Sequence, residues 1–152
     1  MIFGTNSIVE ASVRVAREFG IQRPPVDLDV ILEAWDITLH DWGFPDSIQE
    51  VVTPYAIGLN SSISDPFRRR ELIAHALGHW YLHRENGLAI ASKNDQLRQL
   101  QVERQAWTFA ERLLVPVGWL FGQWGRELWE IAEECRVTPE FAERCWREAL
   151  GS

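Results

Sequence analysis

The chain has 152 residues, enough for one compact domain and too few for two full ones. Hydrophobic residues make up 46% and charged residues 24%, an ordinary globular balance that excludes extended disorder. The net charge of −7, from 15 Lys and Arg against 22 Asp and Glu, argues against a dedicated nucleic-acid binder, which carries a basic excess.

At the N-terminus, Met1 to Asn6 hold no charged segment leading into an apolar run, and no later stretch approaches the ~20 apolar residues that span a bilayer. A cytoplasmic protein without membrane contact is expected. From about Ser7 to Phe19, Ile8, Val9, Val13, Val15 and Ala16 recur at helical spacing, and Gly20 closes the run. Pro24-Pro25 forces an extended link, after which Asp27 is placed to cap a helix from Leu28 to Ala34. Ile37 to His40 has the pattern of a short strand. Val51-Val52 and Tyr55 to Asn60 add one or two more, broken near Pro54. Ser61 to Pro66 is a loop, and the pattern is helical from Phe67 to about His83, with Gly87 marking the exit. A second long helix is expected from about Asn94 to Val115, with Leu97, Leu100, Ala106, Phe109, Ala110, Leu113 and Leu114 on its apolar side and Pro116 as its stop. Two more follow, about Trp119 to Cys135 and Pro139 to Ala149, the last capped by Thr138 with proline at its first position. Of eight tryptophans, Trp119, Trp124, Trp129 and Trp146 fall in this last part and are expected to form core, the alternative being that some are exposed as a binding patch. Cys135 and Cys145 are expected as reduced, packed thiols.

Three of the four histidines, His75, His79 and His83, lie on one predicted helix. Histidines four residues apart stand on the same helical face about one turn apart, where both imidazoles reach one zinc ion. The segment His75-Ala76-Leu77-Gly78-His79 would be the metallopeptidase motif H-E-x-x-H if position 76 were glutamate, the general base that activates water on the metal. That carboxylate is absent. Taken alone, an i, i+4 histidine pair is common enough by chance. Gly78 adds weight, because a mid-helix glycine costs roughly 1 kcal/mol relative to alanine and points to close packing against another element. His83 lies about 12 Å along the helix from His75 and is read as a supporting or packing histidine rather than a ligand. A third ligand is expected from the second long helix, where Glu103 shares a face with the small residues Ala106 and Ala110. Glu103 follows His79 by 24 positions (103 − 79), room for the chain to turn back. Two His and one Glu with an open position form a catalytic rather than a structural zinc set. Glu111, two turns on, is the weaker competitor.

At this point the sequence resembles a known family. Arg69-Arg70-Glu71-Leu72-Ile73-Ala74-His75-Ala76-Leu77-Gly78-His79, with Leu82-His83, is similar to the zinc-helix segment of the ImmA/IrrE metallopeptidases. Glu103 through Ala106, Phe109-Ala110 and Leu113-Leu114-Val115-Pro116 is similar to their second signature. Fainter echoes in Pro25-Val26-Asp27-Leu28, Leu59-Asn60 and Val137-Thr138-Pro139 extend the resemblance over about residues 5 to 149. The resemblance implies an α+β, mainly helical zincin-like domain over residues 1–152, with a small β-sheet beside the motif helix, a catalytic core over about 5–116 and C-terminal helices over 117–150. It implies that His75, His79 and Glu103 hold Zn2+ (Mn2+ suits the same donors) and that Ala76 stands where the family has its catalytic glutamate. Tyr55, Tyr81 and His83 are candidates for oxyanion stabilisation. The strand around Ile57 to Leu59 would border the cleft and take substrate as an added strand. The usual substrate of the family, a helix-turn-helix repressor, becomes the expected partner, with no direct nucleic-acid binding. A catalytically dead Glu→Ala form, engineered by expectation, follows from position 76. The alternative is a natural pseudopeptidase that binds a repressor or antitoxin partner without cleaving it.

Overall fold

The computed structural model describes residues 5–83 and 96–151. The elements run α1 (Thr5–Glu18), α2 (Leu28–Ala34), β1 (Thr38–Trp42), β2 (Glu50–Val52), β3 (Ala56–Asn60), α3 (Pro66–His83), α4 (Gln96–Leu114), α5 (Val117–Leu120), a 3-10 turn over Phe121–Gln123, α6 (Leu128–Cys135) and α7 (Pro139–Gly151). This is an α+β, mainly helical fold with one three-stranded mixed sheet. The expected exit at Gly87 and the start of the second long helix near Asn94 lie outside the described residues.

Local chemistry explains most boundaries. Asp27 caps α2 by accepting from the backbone N–H groups of Asp29 and Val30 at 3.1 and 3.4 Å. The Thr138 hydroxyl accepts from Phe141 N–H at 3.3 Å at the start of α7. The single helix expected over Trp119 to Cys135 is instead broken into α5, the 3-10 turn and α6. Gly125 adopts a left-handed φ of 86°, which a continuing helix forbids, and the Glu127 N–H then donates to Glu130 Oε2 at 3.0 Å to open α6. The same break overturns the core reading of two tryptophans. Trp124, in the linker before α6, and Trp129, on the outer face of α6 opposite Ile131, Ala132 and Cys135, are both exposed. Trp119 and Trp146 do pack against the core. Both cysteines are free and buried, and burial pushes the Cys135 thiol up to about 12.

The strand order is β1-β3-β2, with β1 parallel and β2 antiparallel to β3. Ile57 and Leu59, fully buried, turn the sheet's inner face toward α3. β3 is therefore the central strand, paired on both sides. The expectation that Ile57 to Leu59 forms a cleft edge able to accept an added strand is corrected: the free edges belong to β1 and β2. The register of the turn ahead of β2 is set by Asn60, whose side-chain amide donates to the carbonyls of Phe44, Pro45 and Ile48 at 2.9–3.2 Å. Its carbonyl oxygen accepts from Ser62 N–H and hydroxyl.

Helix α3 is buried from Glu71 to His79 and again at Leu82 and His83, and packs most extensively on α4. A Cβ placed on Gly78 would lie 2.8 Å from the Ala106 carbonyl oxygen and 3.1 Å from its Cα. Only glycine permits this approach, and the close packing expected of Gly78 is what the structure contains. Two turns earlier, α3 ties down the C-terminal helices. Glu71, 1% exposed, accepts from Thr138 N–H at 2.7 Å and from Arg68 Nη1 at 3.1 Å. Arg70 donates to the carbonyls of Arg136 at 3.1 Å and Val26 at 3.0 Å. An aromatic stack continues the same role at the far end: Trp35 lies between Trp80 and Tyr81 at ring separations of 4.9 and 5.3 Å.

Where α4 meets α7, Glu111 is 5% exposed, with Arg144 Nε 3.4 Å from its Oε1. Burial, then a hydrogen bond with Glu148, raise its pKa to about 8 against the pull of Arg144 and Arg112. The folded chain thus holds a proton that the unfolded chain releases in the ordinary carboxylate range, and stability falls as pH rises from there to about 8. Two outcomes are expected. Gly78→Ala loses about 1–3 kcal/mol in denaturant unfolding despite its better helix propensity, because the neighbour it strikes is backbone; an unchanged midpoint would mean that α4 retreats without cost. Glu111→Gln is more stable than the parent by roughly 1–3 kcal/mol near pH 8, the scale of a buried group relieved of an unmet demand. That difference shrinks toward about pH 4, and equal melting curves across the range would refute the buried-proton account.

Candidate metal site

Three side chains named from sequence converge. On α3, the i, i+4 spacing sets His75 and His79 one turn apart with ring centroids 4.5 Å from each other. The Gly78–Ala106 approach brings α4 close enough for Glu103 to reach both. Glu103 Oε2 lies 3.1 Å from His75 Nε2 and Oε1 lies 2.7 Å from His79 Nε2. One donor atom from each of the three residues falls within 4.8 Å of the others. Both histidines are buried, while Glu103 is about half exposed. The competitor Glu111 points into the α4–α7 junction and is not part of this cluster.

The donor set fits a divalent cation. Two imidazole nitrogens and a carboxylate face one another, the donor types that hold such an ion. In the protein alone, burial penalises a charged His75, but hydrogen bonds that the ring donates to Glu103 and Glu50 outweigh it and lift its pKa to about 9. For Glu103 burial pushes upward, yet His75 and His79 hold it well below the usual carboxylate range. A borderline-soft ion such as Zn2+ suits two His and one Glu, and Mn2+ accepts the same donors.

Sequence reasoning missed two neighbours of the cluster. Glu50, the first residue of β2, places Oε1 directly against His75 Nδ1. Trp107, on α4, stacks its ring on His75 at 4.1 Å and 17° and carries Arg68 over its other surroundings at 5.4 Å. Neither has a motif spacing to His75; only the tertiary fold joins them. Together with Asp46 to Gln49, His75 and Glu103 they line an open cleft of about 400 Å3. Asp46, Glu50 and Glu103 make its lining acidic.

The remaining candidates sit elsewhere. His83 is buried, its ring 5.7 Å from that of His79. Burial and the neighbouring His79 lower its pKa to about 4, so it stays neutral. The Tyr81 ring is stacked between Trp35 and Phe109, and Tyr55 is 76% exposed at the β2–β3 turn. Neither lines the cleft. Ala76 is fully buried among the apolar core residues.

Comparison with known proteins shows the fold and the family. A solved structure of a Mycobacterium tuberculosis transcriptional regulator is similar in fold, with a TM-score of 0.64 and 20% sequence identity over 90% of this chain and 54% of that one. The chain therefore spans about half the length of that protein. No curated protein sequence matches. The family described as the IrrE N-terminal-like domain, Peptidase M78, matches residues 32–146, which include both histidines, Glu103 and the whole cleft lining. The chain belongs to the Peptidase M78 family.

Proposed function

We propose that this chain is a zinc-binding endopeptidase domain directed at a helix-turn-helix repressor, present in a form that holds metal and substrate but does not cleave. The observation that carries the reading is the convergence of His75, His79 and Glu103, of which His75 and Glu103 line an acidic cleft. Zinc, when bound there, would polarise a scissile carbonyl and acidify water. The chain's own residues would do the rest. His75 and His79 present neutral nitrogens, Glu103 balances charge, and the bordering edge strand β2 offers backbone groups to an extended segment. What is missing is a proton acceptor at position 76. Removing a general base costs typically 10²–10⁴-fold in rate, so slow or absent turnover is expected with Ala76. A protein substrate agrees with an open cleft and with the net charge of −7, which disfavours nucleic acid. A repressor is the choice that the ImmA/IrrE resemblance implies, and the similar fold of a transcriptional regulator is in keeping with it.

A natural pseudopeptidase that captures a repressor or antitoxin without cutting it is the second reading. It is favoured by the full enclosure of Ala76 in apolar surroundings, where a carboxylate is costly unless it finds a partner.

Elemental analysis of the purified protein is expected to find about one zinc per chain, lost in His75→Ala/His79→Ala. No zinc under replete conditions would sink the metallopeptidase reading and leave the binding module. With zinc present, Ala76→Glu separates them: recovered cleavage of a repressor assigns a disabled enzyme, and a folded, zinc-loaded variant that cuts nothing assigns the binding module.

A further inference from the structure

We propose that Glu50 is the positioning residue of this metal site: through His75 Nδ1 it orients the imidazole and keeps Nε2 available to a divalent cation. The inference rests on the metal reading above, and it concerns a residue from the sheet that no motif includes.

His75 is 4% exposed. Trp107 stacks on the ring face and fixes its plane. Within that plane the ring has two ways of presenting a nitrogen, and Glu50 chooses between them. Its Oε1 touches Nδ1 while Nε2 faces Glu103, so with a cation held by Nε2 the one remaining ring proton would sit on Nδ1 toward Glu50. A carboxylate on the far nitrogen of a ligating histidine also makes that ligand more basic.

Glu50 is held for this task. Its side chain is 10% exposed, and Oε2 is buried without a hydrogen-bond partner among the described residues. Burying a carboxylate is costly, and Glu103 already stands on the other side of the same imidazole. Two carboxylates flanking one ring are poorly balanced by a single proton and well balanced by a doubly charged cation. The backbone behind Glu50 is fixed too: Asn60 N–H donates to Gln49 carbonyl at 2.8 Å, and Glu50 pairs in register with Leu59. A residue needed only to fill space would not require a charged group at this depth.

The test compares zinc dissociation constants of the parent, Glu50→Gln and Glu50→Ala by competition with a chromophoric chelator, beside thermal unfolding of the metal-free proteins. Zinc affinity is expected to fall 10–100-fold in Glu50→Gln and at least as far in Glu50→Ala, while metal-free unfolding temperatures stay level or rise as the buried charge is removed. Parent-like affinity in both variants overturns the proposal. Nitrogen NMR of the zinc-loaded parent, which needs no variant, is expected to find the His75 proton on Nδ1; a proton on Nε2 overturns it equally. A parent that binds no zinc would defeat the metal reading itself, an outcome distinct from a zinc-binding parent indifferent to residue 50.

Discussion

The close approach of α4 to α3 at Gly78 is the constraint on which the site depends. With any Cβ at position 78, the Ala106 carbonyl would have to move, and α4 with it. Glu103 lies one helical turn before Ala106 on the same face, so a retreat at the crossing would withdraw the carboxylate from both histidines. Backbone contact at one residue thus fixes three donor atoms to within 4.8 Å, a precision that flexible side chains alone would not supply. The unfavourable helix propensity of glycine, roughly 1 kcal/mol, is offset by the packing that this approach permits.

Helix α3 carries two separate duties on adjacent turns. Its first half anchors other parts of the fold through Arg70 and Glu71, which satisfy backbone groups of the α6–α7 junction and of the link before α2. Its second half presents His75 and His79. Because the anchors are buried or partly buried charges bonded to main-chain atoms, they hold α3 against both ends of the chain. The two imidazoles therefore stand on a rigid support, in keeping with sites built on helices rather than loops.

Much of this was legible before any coordinates. Helix periodicity located α1, α3 and α7, the caps at Asp27 and Thr138 were recognisable from residue type, and the i, i+4 histidines with a downstream glutamate marked the cluster. What escaped has physical reasons. The break inside the Trp119 to Cys135 segment turns on a left-handed Gly125 within an otherwise helical composition, and composition does not report φ. Hydrophobicity alone places Trp124 and Trp129 in the core, yet Trp124 lies in the linker that Gly125 opens, and Trp129, on the outer face of a short amphipathic helix, stays in water because Ile131 and Cys135 already fill the inner face. Sheet order was unreadable because strand adjacency is non-local: nothing in Ile57 to Leu59 distinguishes a central strand from an edge. Glu50 and Trp107 escaped for the same reason, being brought to His75 by packing alone.

The sheet order has a bearing on what kind of molecule the cleft admits. The edge that borders it, β2, is only three residues long. Alternate residues of a strand face the same neighbour, so a guest strand would find the main-chain groups of about one or two residues. At roughly 1 kcal/mol net for each hydrogen bond, this ladder contributes a small part of the ~8 kcal/mol that micromolar affinity requires. A protein partner of the kind proposed would therefore draw on surface outside the ladder, which favours one that arrives already shaped, with a protruding loop threaded past the edge, over a limp peptide held by its backbone.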